Sequence, residues 1–218
     1  MDLMILNSCP LFRGVTQEEL LSMLGCLDAR EQAYPRSTTI FREGERAQWV
    51  GVVLEGEVHI IKEDYAGNRS VIGAVGPGQL FGEVFACAGV EQLPVSAVAT
   101  TDTRVLLLSC LKIITTCPNS CPFHTGLIHN LLHIVARKNL MLNQKIEFIS
   151  RKTTREKLLA FLSAHAKAQG NKIFTIPYDR QALADYLGVE RSAMSAELGK
   201  MKREGLLDFH KNQFRFLK

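Results

Sequence analysis

The chain has 218 residues, 46% hydrophobic and 22% charged, an ordinary globular composition with apolar mass for one large or two small cores. No apolar run reaches the roughly 18 residues of a membrane span, and Met1-Asp2-Leu3-Met4 puts no basic region ahead of an apolar one, so no membrane segment or secretion signal is expected and the predicted location is the cytoplasm. The net charge of +4 is uneven: residues 151–218 carry fourteen Lys and Arg against seven Asp and Glu (+7), whereas residues 1–150 carry 12 against 15 (−3), which turns the rear of the chain toward a polyanion.

Residues 1 to about 34 read as helical. Leu20, Leu21, Leu24 and Leu27 sit near helical spacing, behind a Thr16-Gln17-Glu18-Glu19 start that offers a cap and first-turn acids. From about Thr38 to Leu108 the period shortens. β-rich runs occur at Thr39–Phe41, Trp49–Leu54, Val58–Ile61, Val71–Val75, Val95–Ala99 and Val105–Leu108, punctuated by Gly44, Gly56, Asp64–Asn68 and Gly76-Pro77-Gly78. Short strands at this spacing predict an antiparallel barrel or sandwich, small enough to enclose side chains or one ligand.

The helical period returns near Phe123. Ile128, Leu132, Val135, Asn139, Leu142, Ile146 and Ile149 are separated by alternating fours and threes, a heptad seam flanked by Arg137, Lys138 and Lys145. A lone Asn in such a seam fixes register and favours two strands. The expectation is a dimerisation helix, against the alternative of a helix packed only within its own subunit. Thr153-Thr154-Arg155-Glu156 then opens a helix over Arg155–Lys167, Gly170-Asn171 ends it, and Phe174-Thr175-Ile176 reads as a strand stopped by Pro177.

The tail is the most informative stretch. Asp179 caps a helix over Arg180–Leu187, Gly188 supplies a left-handed turn, and a second helix runs from about Arg191 to Arg203 with Met194, Leu198 and Met201 inward. Leu206–Phe209 and Phe214–Leu217 form a hairpin across His210–Gln213, a wing. This is a winged helix-turn-helix pattern for duplex DNA. Arg191 is placed for a bidentate contact to guanine, Ser192 and Ser195 for base or phosphate, and Ala196 is small enough for close approach. Arg180, Lys200, Lys202 and Lys211 would hold the backbone.

At these residues the chain resembles the CRP/FNR transcription regulators over nearly its whole length. Asp179–Ser195 is similar to that family's helix-turn-helix and Gly205-Leu206-Leu207 to its exit into the wing. Gly44-Glu45, Gly56-Glu57-Val58, Asp64–Asn68 and Phe81-Gly82-Glu83 follow the sensor in order. The resemblance implies an α+β protein: an N-terminal β-roll, double-sheeted and jelly-roll-like (residues 1–120), a central dimerisation helix (121–150) and a winged helix-turn-helix (151–218). It also implies a homodimer that binds a pseudo-palindromic operator, works with RNA polymerase and is not an enzyme. An effector pocket would involve Phe81, Gly82, Glu83, Val84, Leu93, Pro94, Val95, Leu142 and Asn143.

The sensor departs from the nucleotide-binding pattern. Members that bind cyclic AMP carry an Arg-Ser pair ten and eleven residues after the cassette Glu, where this chain has Leu93-Pro94, and two hydroxyls on the central helix, where it has Leu142-Asn143. A buried phosphate without its cation carries a large desolvation penalty, so cyclic AMP is not the expected effector and the small-molecule effector stays unknown.

The six cysteines (9, 26, 87, 110, 117 and 121) suggest no disulfide framework, and the wide spacing of Cys9 and Cys26 argues against the iron–sulfur cluster of oxygen-sensing members. Cys117, Cys121 and His124, with His129 and His133 beyond, leave three readings open: buried thiols in a hinge, a redox-active Cys121, or a metal site. Two rivals from other classes are a β-roll module regulating a partner protein and a thiol enzyme on Cys87, Cys117 or Cys121. No histidine–acid constellation accompanies those thiols.

Overall fold

In the computed structural model, residues 3–115 and 122–217 are described. They fall into two compact units, Met1–Arg137 and Lys138–Lys218.

In the first unit, α1 (Leu3–Ser8), a 3-10 turn (Pro10–Phe12) and α2 (Gln17–Cys26) precede the strands β1 (Arg30–Tyr34), β2 (Thr39–Phe41), β3 (Trp49–Glu55), β4 (Val58–Glu63), β5 (Arg69–Val75) and β6 (Leu80–Phe81). Then come α3 (Glu83–Cys87), β7 (Ser96–Ala99), β8 (Thr103–Ser109) and α4 (Cys110–Ile114). The strands pair antiparallel in two four-stranded sheets, β1-β8-β3-β6 and β2-β7-β4-β5, which make a roll.

Strand alternation divides the core in two. Val50, Val52 and Leu54 of β3, with Leu106 and Leu108 of β8, pack outward on Leu6, Leu20 and Met23 and on Leu127 and Leu131 of α5 (Pro122–Ile149). Val53, Val105 and Leu107 face the roll interior with Ile40, Phe41, Val58, Phe81 and Leu93.

The six expected strands are present. Residues 30–34, read as helical, form the edge strand β1 instead, paired from Arg30↔Leu107 to Tyr34↔Thr103. Arg-Glu-Gln-Ala-Tyr is almost wholly exposed, so it carries no apolar alternation to betray a strand. The capping box of α2 is in place: Glu19 N–H donates to Thr16 Oγ1 at 3.3 Å and Thr16 N–H to Glu19 Oε2 at 2.8 Å.

Gly51 leaves room for an aromatic ring. A Cβ there would lie 2.2 Å from the Phe81 ring, which is 2% exposed and sits 5.2 Å from the Phe41 ring, so it has nowhere to go. Gly51→Ala is expected to lower stability by about 1–3 kcal/mol through overpacking, read as a lower urea midpoint.

The second unit holds the end of α5, α6 (Thr154–Gln169), β9 (Ile173–Thr175), α7 (Arg180–Leu187), α8 (Arg191–Arg203), β10 (Leu207–His210) and β11 (Gln213–Phe216). The last two strands and β9 form an antiparallel sheet ordered β10-β11-β9. Its core gathers around Phe161, whose ring lies 5.6 Å from both Phe148 and Tyr186, with Leu158, Leu183, Leu187, Met194, Leu198 and Met201 buried beside it.

Both predicted caps are present: Thr153 and Glu156 form a capping box, and Asp179 accepts from Ala182 N–H at 2.8 Å. Gly188 (φ 60°) and Gly170 (φ 62°) end α7 and α6 in the left-handed conformation. Arg155 joins α6 to α8 by pairing with Glu197 and Glu204.

The His165 ring lies 4.4 Å from that of Phe161, tilted by 50°, and burial lowers its pKa from the usual histidine value. On acidification the unfolded chain takes up this proton first, so stability is expected to fall as pH drops through about 6.5. His165→Gln should flatten that dependence in urea titrations compared at about pH 8 and pH 5.5.

Candidate functional site

The site is built on α8. Met194, Leu198 and Met201 fix one side of the helix in the core and so turn the other to solvent. Arg191, Ser192, Ser195, Ala196, Lys200 and Lys202 are all exposed, as is Lys211 at the hairpin tip, where φ is 50°. Ser192, Ala196, Gly199 and Arg203 follow one another at four, three and four residues along the middle of the outward side, and Arg203 is exposed. Sequence reading passed over Arg203 because it looked toward the helix start; extending the helical spacing from Ser192 finds it.

The start of α8 is occupied by Glu190, which composition alone did not mark as a cap. Its carboxylate accepts from Ser192 N–H at 3.0 Å and Ala193 N–H at 2.8 Å, and the Ser192 hydroxyl also donates to it. These bonds, that from the Ser192 side chain foremost, hold Glu190 below the usual carboxylate range. The free helix thus carries its own anion where a phosphate would bind.

Two expected backbone contacts are engaged within the protein. The Arg180 guanidinium lies 4.7 Å from the Phe209 ring and 5.1 Å from Phe214, so the first residue of α7 is stacked on the wing. Burial there lowers its pKa from the usual arginine value. Lys202 pairs with Asp208 and lies 5.4 Å from the Phe209 ring. That ion pair is exposed and therefore weak, so a phosphate can replace it.

Along α5, Leu127 and Leu131 are buried in the first unit, a face that the heptad reading missed. Of the seam, Ile128 and Val135 are half-buried, whereas Leu132, Asn139, Leu142, Ile146 and Ile149 are exposed. Asn139 Oδ1 accepts from Asn143 Nδ2 at 2.7 Å.

The roll interior is filled. Phe41, Ile60, Phe81, Gly82, Phe85, Leu93, Val95 and Ala97 enclose about 10 Å³, room for no more than about one water. Leu93 and Val95 are buried, Val84 and Pro94 are exposed, and Leu142 and Asn143 lie in the second unit, both exposed. Gly82 serves the architecture: its φ is 79°, and a Cβ would lie 2.9 Å from the Phe41 ring and 3.0 Å from the Trp49 carbonyl. Glu83 is buried beside it. That enclosed space is too small for a nucleotide, and position 93 is an apolar Leu rather than a cation. An open cleft of about 450 Å³ adjoins it, lined by Arg30, Glu45, Arg46 and Trp49 together with Ile40, Phe41, Leu93 and Leu107 of the interior cluster.

His124 is buried, with Nε2 3.0 Å from the Lys112 carbonyl and no partner for Nδ1 among the described residues. Cys117 and Cys121 lie outside the described residues, and among those described no three His, Cys, Asp or Glu gather as metal ligands. No described helix is long and apolar enough to cross a membrane.

Residues 31–113 match the family described as cyclic nucleotide-binding domain, and residues 156–218 match the Crp-like helix-turn-helix domain. The chain is 27% identical over 205 residues to the cyclic AMP receptor protein of Thermus thermophilus, covering 93% of this chain and 89% of that protein. It is 25% identical over 187 residues to the transcriptional activator protein FnrL of Cereibacter sphaeroides, covering 81% and 71%. Among solved structures it is similar to the Thermus thermophilus catabolite activator protein, with a TM-score of 0.50 and 26% identity over 95% of this chain and 93% of that one.

Proposed function

The chain belongs to the CRP/FNR family of transcription regulators, and on that basis we propose that it binds duplex DNA as a cytoplasmic homodimer. α8 lies in the major groove of each half of a pseudo-palindromic operator. The observation that carries this reading is the outward side of α8, where Arg191, Ser192, Ser195, Ala196 and Arg203 are exposed together while the opposite side is locked in the core. Paired recognition helices must sit about one DNA turn, roughly 34 Å, apart, and the exposed seam of α5 is the surface that sets this spacing. Arg191 and Arg203 read or grip the operator, Lys200 and Lys211 contact phosphate, and Arg180 acts indirectly by holding the wing. RNA polymerase is the expected protein partner.

The effector is something other than cyclic AMP, because the interior that would receive a nucleotide is packed with Phe41, Phe81, Phe85 and Leu93. It acts by binding one conformation of the dimer better than the other.

The reading is tested on an operator selected from random duplexes. Arg191→Ala should weaken binding to that operator by about 1–3 kcal/mol and relax preference at one base pair, whereas Lys200→Ala should weaken all sequences alike and reduce the salt slope by about one. An Arg191→Ala protein with unchanged sequence preference means that another surface reads the DNA.

A further inference from the structure

Cys87 ends α3 and Cys110 begins α4, and their sulfurs lie 3.6 Å apart. That is a van der Waals contact, about 1.6 Å longer than a disulfide bond. The two thiols differ in access. Cys110 is 3% exposed and belongs to the core cluster behind β3 and β8, whereas Cys87 is half-buried and packs at its edge. We propose that Cys87 and Cys110 form a dithiol site, in which a hydroperoxide oxidises Cys87 and Cys110 then closes a disulfide within the sensor unit.

The steps balance. Cys87 Sγ, as thiolate, attacks a peroxide oxygen. An S–O bond forms, the O–O bond breaks, and the departing oxygen takes a proton to leave as water or an alcohol. Cys87 is now a sulfenic acid. Cys110 Sγ attacks that sulfur, the S–S bond forms as the S–O bond breaks, and the leaving hydroxide takes the Cys110 proton to become water. In sum two thiols lose two electrons and two protons, and the peroxide is reduced by two electrons.

The electrostatics suit this division of roles. The contact with the Cys110 thiol holds the Cys87 thiol below the ordinary thiol range, against opposite pushes from burial and from the Glu83 carboxylate. The same contact, with burial, drives Cys110 upward, so it keeps its proton until it is needed. Cys9 is the contrast: it is buried in the same core with no thiol bonded to it among the described residues, and burial pushes it up to about 11. Nucleophilic cysteines are those with thiolate character and access, and among the described residues only Cys87 joins these to a second thiol within reach.

The site is also placed to be felt elsewhere in the unit. The carbonyl of Lys112, on the helix that Cys110 opens, meets the His124 ring of α5 at 3.0 Å. Drawing Cys110 toward Cys87 pulls on the helix that anchors the start of α5.

The test uses the full chain, reduced, desalted and treated with one equivalent of hydrogen peroxide, then alkylated, digested and weighed. The expected first product is a linked pair of peptides containing Cys87 and Cys110, two hydrogens lighter than their sum, with free thiols falling from the six of the sequence to four. Before oxidation, Cys87 should alkylate at least about tenfold faster than Cys9 at neutral pH. Cys110→Ser should stop the reaction at a Cys87 sulfenic acid, trapped by a 1,3-diketone. Recovery of both thiols alkylated, or a first disulfide joining other cysteines, overturns the proposal. Both readings come from the unmutated protein and do not depend on the variant folding.

Discussion

Replacing Leu142 and Ile146 together by Asp is expected to leave a folded monomer that binds the operator about 10²–10⁴-fold more weakly. Within one chain these side chains are 60% and 56% exposed, and Leu132 and Ile149 on the same seam are 65% and 39% exposed, so the substitutions remove little from the subunit's own core. In a two-stranded seam each side chain counts twice. Burying a Leu or Ile is worth about 1.5–3 kcal/mol, so the double variant removes on the order of 6–12 kcal/mol from association and adds four carboxylates that must stay hydrated. That matches the roughly 8–12 kcal/mol of a dimer held at micromolar to nanomolar strength. Affinity for the operator falls because two half-sites no longer bind as one. Sedimentation equilibrium should report the monomer mass, and circular dichroism should report unchanged helix. A double variant that stays dimeric would show that another surface joins the subunits. Asn139→Leu supplies the converse: it should keep association but loosen the choice of two strands.

Alternating fours and threes picked out Ile128, Leu132, Val135 and the residues beyond. A helix that packs on its own subunit and also on a second copy would carry two overlapping stripes, and Leu127 and Leu131, one residue off the seam, are the ones buried against the roll. Periodicity finds the longer stripe and hides the shorter. The same limit explains β1, whose exposed Arg-Glu-Gln-Ala-Tyr has hydrogen-bonding capacity but no apolar rhythm, and β6 and α3, too short to hold a period. Local chemistry was legible: Thr16, Thr153 and Asp179 cap helices because their side-chain oxygens answer free N–H groups, and Gly170, Gly188 and Gly205 adopt positive φ.

Contacts made across the fold were not legible. Nothing in the order of residues sets Arg180 on Phe209 and Phe214, and nothing brings Cys87 to Cys110, 23 positions away. The spacing of Cys117, Cys121 and His124 was conspicuous in the sequence, yet the described residues show only His124, anchored on Lys112.

Leu93→Arg with Pro94→Ser restores the residue types of a nucleotide-binding cassette and is expected to cost about 2–5 kcal/mol of stability while conferring no binding of cyclic AMP. Leu93 is 6% exposed and pinned by its backbone: its N–H donates to the Glu45 carbonyl at 2.8 Å and its carbonyl accepts from Gly44 N–H at 2.8 Å. An arginine there must stay among Phe41, Phe81 and Val95 or reach into the cleft, where Arg30 and Arg46 outnumber the single carboxylate of Glu45. The first choice buries a charge and the second faces a net positive lining, and a nucleotide has no room beside Phe41, Phe81 and Phe85, where only about 10 Å³ is free. Charge and volume therefore have to change together, and the cassette cannot be repaired by charge alone. Urea titration reads the lost stability, and calorimetry with cyclic AMP reads the absent heat in both proteins. Micromolar binding by the unmutated protein, or binding gained by the double variant, would mean that the aromatic packing opens readily to admit a nucleotide.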